Sequence, residues 1–138
     1  MANTNETVQT GKQLRVLIVD DSAAVRESIQ LLCDEIHGLH VVDHAQDGLE
    51  GLAAIEKLRP DVVILDIRMP RMTGLELLSA LESRPERPLL IVFSALPHEV
   101  YRPRCLALKA AHFFEKPKDL EQLDQVLRQL VHRDGKAS

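Results

Sequence analysis

One theme repeats along the chain: a short apolar run ends on a polar residue, and a stretch with apolar positions three and four apart follows. Leu14-Arg15-Val16-Leu17-Ile18-Val19 is apolar and rich in β-branched residues, reads as a buried strand, and ends at Asp20-Asp21-Ser22. Val25, Ile29, Leu32 and Ile36 then follow helical spacing, with Arg26, Glu27 and Gln30 on the outside. Ser22 can cap this helix and Gly38 can stop it. Leu39–Ala45 mixes apolar and polar positions, which predicts a strand near a sheet edge. Asp47-Gly48 turns the chain into a second helix whose apolar set is Leu49, Leu52, Ala53 and Leu58, and Pro60 forbids its continuation. Val62–Leu65 is wholly apolar and runs into Asp66. Thr73-x-x-Glu76 is a capping box for a third helix carrying Leu75, Leu77, Leu78 and Leu81.

Arg84-Pro85-Glu86-Arg87-Pro88 is a stiff connection to a fourth strand, Leu89–Phe93, which ends at Ser94. Pro97 and Pro103 fall where a helix belongs. An interior proline costs about 3 kcal/mol, while one in the first turn is welcome. The pattern therefore predicts a loop over 95–102 and a fourth helix that opens near Pro103. His112–Glu115 is the fifth strand, ending at Lys116-Pro117. Asp119 and Gln122 predict a capped fifth helix with Leu120, Leu123, Val126, Leu127 and Leu130 inward. Residues 1–12 are polar and without period, which predicts a disordered tail, and 133–138 read as a flexible end. The alternation of strand and helix predicts an α/β fold, a parallel sheet with helices on both faces, as one domain over 13–132.

Composition narrows the function. Of the 138 residues, 45% are hydrophobic and 28% charged, ordinary for a globular domain with its own core. The net charge of −4 argues against a nucleic-acid surface. The polar start and the lack of a long apolar run predict neither signal peptide nor membrane helix, hence a cytoplasmic protein. Cys33 and Cys105 lie in apolar helical context and read as buried free thiols. Cys33, His37, His40 and His44 have metal-like spacing, but they cross a helix, a glycine and a strand, which scatters their side chains. Arg84, Arg87, Arg102, Arg104 and Lys109 read as solvated surface.

The chemistry gathers at the strand ends. Asp20 and Asp21, Asp66, Ser94 and Lys116 each close a strand, and in a parallel sheet these ends share one rim, where open α/β sheets carry their sites. Carboxylates brought together repel one another and raise each other's pKa, and a hard divalent cation offsets this. A lysine supplies a positive charge for a phosphoryl oxygen and a serine hydroxyl can donate to another. These parts suit phosphoryl transfer to the Asp66 carboxylate.

The ordered set resembles a response-regulator receiver domain of two-component signalling. It comprises Asp20-Asp21, then Asp66 with Met69-Pro70 and Gly74, then Ser94-Ala95, then Lys116-Pro117. The resemblance implies a flavodoxin-like, CheY-like fold with strand order 2-1-3-4-5. It implies a phosphoacceptor Asp66, and Mg2+ (or Mn2+) held by Asp21 and Asp66, by Asp20 through water, and by the main-chain carbonyl of Arg68. By the same resemblance Lys116 would pair with Asp66 and then with the phosphoryl group, and Ser94 would move to meet that group. Phe113 occupies the aromatic switch position, where it has no phenolic oxygen and works by packing alone. The implied donor is a histidine kinase or a histidine phosphotransfer protein, as in a phosphorelay. The output is a downstream protein target reached through the surface of the fourth helix, fifth strand and fifth helix. A stand-alone receiver, monomeric or weakly dimeric, without output domain, nucleic-acid or membrane partner, is the expected form.

The chain departs from the family at Lys109, where a glycine usually closes the fourth helix, and at Pro103. Lysine is poor at positive φ, so that helix end should be strained or reshaped. By the resemblance, Arg68 and Leu96 flank the expected path of a hydrolytic water and should tune phosphate lifetime. Arg68 also argues against a haloacid-dehalogenase-type hydrolase, which needs a second acid there. Asp20-Asp21 would repel a flavin phosphate, which argues against a flavodoxin. No metabolic enzyme is expected; the alternative is an interaction module with a receiver fold that works without phosphorylation.

Overall fold

The β-branched apolar runs pair as strands because each can be buried on both faces, and the amphipathic stretches between them cover those faces. The computed structural model describes residues 13–137, with side chains as far as His132. The tail expected over 1–12 lies outside the described residues, as does Ser138. The strands are β1 (Leu14–Val19), β2 (Leu39–Ala45), β3 (Val62–Leu65), β4 (Leu89–Ser94) and β5 (His112–Glu115). The helices are α1 (Ala23–Asp34), α2 (Gly48–Leu58), α3 (Gly74–Glu82), α4 (His98–Ala107) and α5 (Leu120–Ala137). All strand pairs are parallel and the order is β2-β1-β3-β4-β5, with β2 at an edge as its mixed pattern predicts.

Side chains alternate across the sheet and build two cores. Leu17, Val19, Val63, Leu65, Leu90, Val92 and Phe113 meet Ile55 of α2, Leu77, Leu78 and Leu81 of α3, and Cys105 of α4. Val16, Ile18, Val62, Ile64, Ile91 and Phe93 meet Ile29 and Cys33 of α1 and Leu123 and Leu127 of α5. Each fully buried aliphatic side chain contributes roughly 1.5–3 kcal/mol of transfer free energy. Both cysteines are free, and burial pushes the Cys33 thiol up to about 12 and that of Cys105 to about 11. Among the described residues, no helix is long and apolar enough to cross a membrane.

Four local expectations change. Helix α1 stops at Asp34, so Gly38, at φ +102°, shapes the turn into β2 instead of ending the helix. In α2 the buried stripe is Gly48, Gly51 and Ile55, whereas Leu49 and Ala53 are exposed. A Cβ on Gly51 would sit 3.0 Å from Val19, so the glycine draws the helix onto the sheet and turns the leucines to its flanks.

Helix α4 starts at His98, not at Pro103; Pro97 is its N-cap and Pro103 lies inside it. The helix tolerates this because Pro103 falls in its second turn, where only the carbonyl of exposed Glu99 loses a partner and solvent can replace it. Asp119 does not meet Gln122: its carboxylate accepts the amide of Glu115 at 2.9 Å and ties α5 back to β5. The capping box of Thr73 and Glu76 is present, and the α5 backbone stays helical to Ala137.

Candidate functional site

The hydrogen-bond ladder of the sheet continues past the strand ends and fixes the backbones of Asp20, Asp66 and Lys116. The Asp20 amide donates to Ala45 O at 3.0 Å, that of Asp66 to Val19 O at 3.0 Å, and that of Lys116 to Ser94 O at 2.8 Å. Because β1 and β3 pair with Val19 opposite Leu65, Asp20 and Asp66 leave the sheet side by side. Asp20, Asp21 and Asp66 each bring one carboxylate oxygen to within 4.8 Å of the others, with Asp20 and Asp66 buried and Asp21 exposed. Lys116 Nζ enters this group, 2.8 Å from Asp20 Oδ2 and 3.3 Å from Asp66 Oδ2. It also lies 5.9 Å from the centre of the Phe93 ring, an attractive cation–π position.

Asp20 and Asp66 have further local partners. Asp20 Oδ1 accepts the Ser22 amide at 2.9 Å, and Ser22 Oγ caps α1 through Val25. The Arg26 guanidinium donates to the main-chain carbonyl of Asp20 at 2.7 Å. Asp66 Oδ1 accepts the Ile67 amide at 2.7 Å, which leaves Oδ2 to Lys116. Burial raises the Asp20 pKa, and the Lys116 hydrogen bond and the Ser22 amide only partly oppose it. Burial also works against the Lys116 charge, but the hydrogen bond to Asp20 and the charges of Asp66 and Asp20 outweigh it, so its pKa is raised.

One ammonium against three carboxylates leaves an excess of negative charge, and every donor facing the gap is oxygen. That set fits a hard divalent cation, and exposed Asp21 leaves a side open to water and substrate. Ser94 closes β4 and is fully buried; its hydroxyl accepts the Leu96 amide at 3.3 Å and meets none of the carboxylates among the described hydrogen bonds. Arg68 stands in the loop after Asp66 with its side chain exposed. Phe113 is turned inward, 6% exposed, in the core beneath α4.

The ordered strand-end residues now have a common rim. Residues 16–128 match the family described as response regulator receiver domain. The chain belongs to that family. It is 41% identical over 117 residues to an uncharacterized response regulatory protein of Yersinia pestis, covering 85% of this chain and 48% of the relative. It is 34% identical to a protein-glutamate methylesterase/protein-glutamine glutaminase of Methanospirillum hungatei, covering 87% of this chain and 36% of that protein. The chain thus spans half or less of these curated relatives.

Two solved structures agree in fold. The response regulator domain of Thermotoga maritima CheB is 30% identical at TM-score 0.78, covering 89% of this chain and 96% of that one. A chain of the CheX-CheY-BeF3-Mg+2 complex from Borrelia burgdorferi is 32% identical at TM-score 0.76, covering 85% and 91%. The sequence pattern of this receiver domain did not flag Phe93, Arg26, Asp47 or Arg71 as parts of the rim and its surroundings. Asp47-Gly48 signalled only a turn, and nothing in the sequence pairs Asp47 with Arg71, 24 positions on.

Proposed function

We propose that Asp66 accepts a phosphoryl group from a phosphohistidine on a histidine kinase or phosphotransfer protein. Oδ2 of Asp66 attacks phosphorus; a P–O bond forms, the P–N bond breaks, and the histidine nitrogen leaves with its electron pair. Lys116 stabilises Oδ2 beforehand and the transferred group afterwards, while the Ile67 amide keeps Oδ1 in place. Asp21 and Asp66, with Asp20 through water and the Arg68 carbonyl, would hold magnesium (or manganese), which would supply positive charge to offset that of the phosphoryl oxygens. Ser94 gives up the Leu96 amide to donate to the phosphoryl group, and Phe113 keeps the core under α4 filled as that loop moves. The signal leaves through the α4-β5-α5 surface to a downstream protein.

The observation that carries this reading is the bridge of Lys116 Nζ between Asp20 and Asp66 beside the group of three carboxylates. A small acyl-phosphate donor with Mg2+ should label the protein through an acid-stable, base-labile bond, and Asp66→Asn should abolish labelling. Undiminished labelling of that variant would move the nucleophile elsewhere.

A further inference from the structure

The loop from Ile67 to Thr73 follows Asp66 and is pinned by α2, a helix that contributes nothing to the acidic group. The Gly48 amide donates to Met72 O at 3.0 Å, and a Cβ on Gly48 would overlap that same carbonyl. Beside it, Arg71 Nε donates to Asp47 Oδ2 at 2.9 Å. Asp47 is 5% exposed, while the Arg71 side chain is 56% exposed. Arg71 has φ +67°, a conformation that a non-glycine residue keeps only when its surroundings over-determine it. Asp47 uses its oxygens for different tasks: Oδ1 caps α2 through the Glu50 amide at 2.9 Å, and Oδ2 takes the arginine. A cap alone needs one oxygen, and serine would serve. The charged second oxygen is spent on the loop.

We infer that Asp47 is a positioning residue for the acidic site: by pairing with Arg71 it holds the loop after Asp66 in the geometry that lets the Arg68 backbone join Asp20, Asp21 and Asp66 around a divalent cation. This rests on the proposed cation site and deepens it. Helix α2 becomes a support for ion binding, through a contact three residues along the loop from Arg68. Neither Asp47 nor Arg71 touches the cation or the phosphoryl group, so their effect passes through loop geometry.

The test compares Asp47→Ser, which keeps a capping oxygen but cannot reach Arg71, with Arg71→Gly, which removes the pair and relieves the positive φ. Mg2+ binding is followed by calorimetry or amide shifts, alongside acyl-phosphate labelling and thermal melting. Removing partners behind metal ligands typically costs 10–100-fold in affinity, and this more remote pair should cost about 3–10-fold. Both variants should lose Mg2+ affinity to the same extent, the double variant should lose no more than either, and Arg71→Gly should melt no lower than the wild type. A purely structural role predicts the reverse for Arg71→Gly, with affinity kept once the strain is gone, and that result overturns the inference, as do additive losses. Wild-type protein that neither binds Mg2+ nor labels at Asp66 would instead overturn the cation site itself.

Discussion

The acidic rim and helix α4 stand next to each other and are held in opposite ways. On the rim, Asp20, Asp66 and Ser94 are buried, and the backbones of Asp20 and Asp66 are bonded to the neighbouring strand. In α4, Cys105 is the buried residue, Pro97 gives no side-chain cap, Pro103 interrupts the ladder and Lys109 follows at φ +74°. The rim is thus built before any ligand arrives, as a site that works by charge placement requires. Helix α4 has one buried residue and no side-chain cap, the features expected of a low-stability element. The difference teaches that one small domain can hold a firmly bonded acidic rim beside a sparsely anchored helix.

The largest effect should come from disturbing the rigid region. A Cβ on Gly74 would overlap the Asp66 carbonyl oxygen and press on Ile67 Cα, backbone atoms that cannot swing aside. The Gly74 amide also closes the loop by donating to Ile67 O at 2.8 Å. Gly74→Ala should therefore cost about 3 kcal/mol or more, as overpacking against backbone does, and should abolish acyl-phosphate labelling. Urea unfolding of the variant measures the first and labelling the second. A wild-type midpoint would show the rim to be more yielding than its contacts indicate.

The same contrast governed what could be read in advance. The fold and the rim were legible because they depend on local patterns: apolar runs mark strands, and parallel pairing gathers their ends. Asp20, Asp21, Asp66 and Lys116 come together as expected. The start of α4 was not legible, because proline statistics describe an isolated helix; here Cys105 and Leu108 pack against the core and hold the turn despite Pro103. The face of α2 was not legible because its burial is set by Gly51, whose lack of a side chain is what fits against Val19. The Asp47–Arg71 pair was out of reach because it joins loops that only the tertiary fold brings together.

A smaller effect, of opposite sign, should follow from repairing α4. Pro103→Ala restores a donor to the Glu99 carbonyl and removes the ring's clash with it. Proline is about 3 kcal/mol worse than alanine in a helix interior, and the gain shrinks because proline also restricts the unfolded chain. Net stabilisation of roughly 1–2 kcal/mol is expected at this exposed second-turn position. Hydrogen exchange should slow in α4 and leave β1 and β3 unchanged. A destabilised variant would mean that the proline kink is needed to seat Cys105, and α4 would then belong with the rigid part of the molecule.

The smallest effect sharpens the comparison most. Helix α4 ends in a Schellman motif: the Lys109 amide donates to Leu106 O at 2.9 Å and the Ala110 amide to Cys105 O at 3.0 Å, with Ala110 and Cys105 both buried. The glycine expected at this helix end is absent, yet its left-handed geometry is kept, so Lys109 carries the strain. Lys109→Gly should relieve it and stabilise the domain by about 0.5–1 kcal/mol, since the left-handed penalty slightly exceeds the added freedom of the unfolded glycine. Urea midpoints measure this, and Mg2+ titration of the same samples tests the separation of the two regions. If rim and helix are independent before phosphorylation, stability rises while Mg2+ affinity stays at the wild-type value. A shift in affinity would show that α4 already biases the acidic site in the resting protein, through the Ser94–Leu96 segment that joins β4 to it.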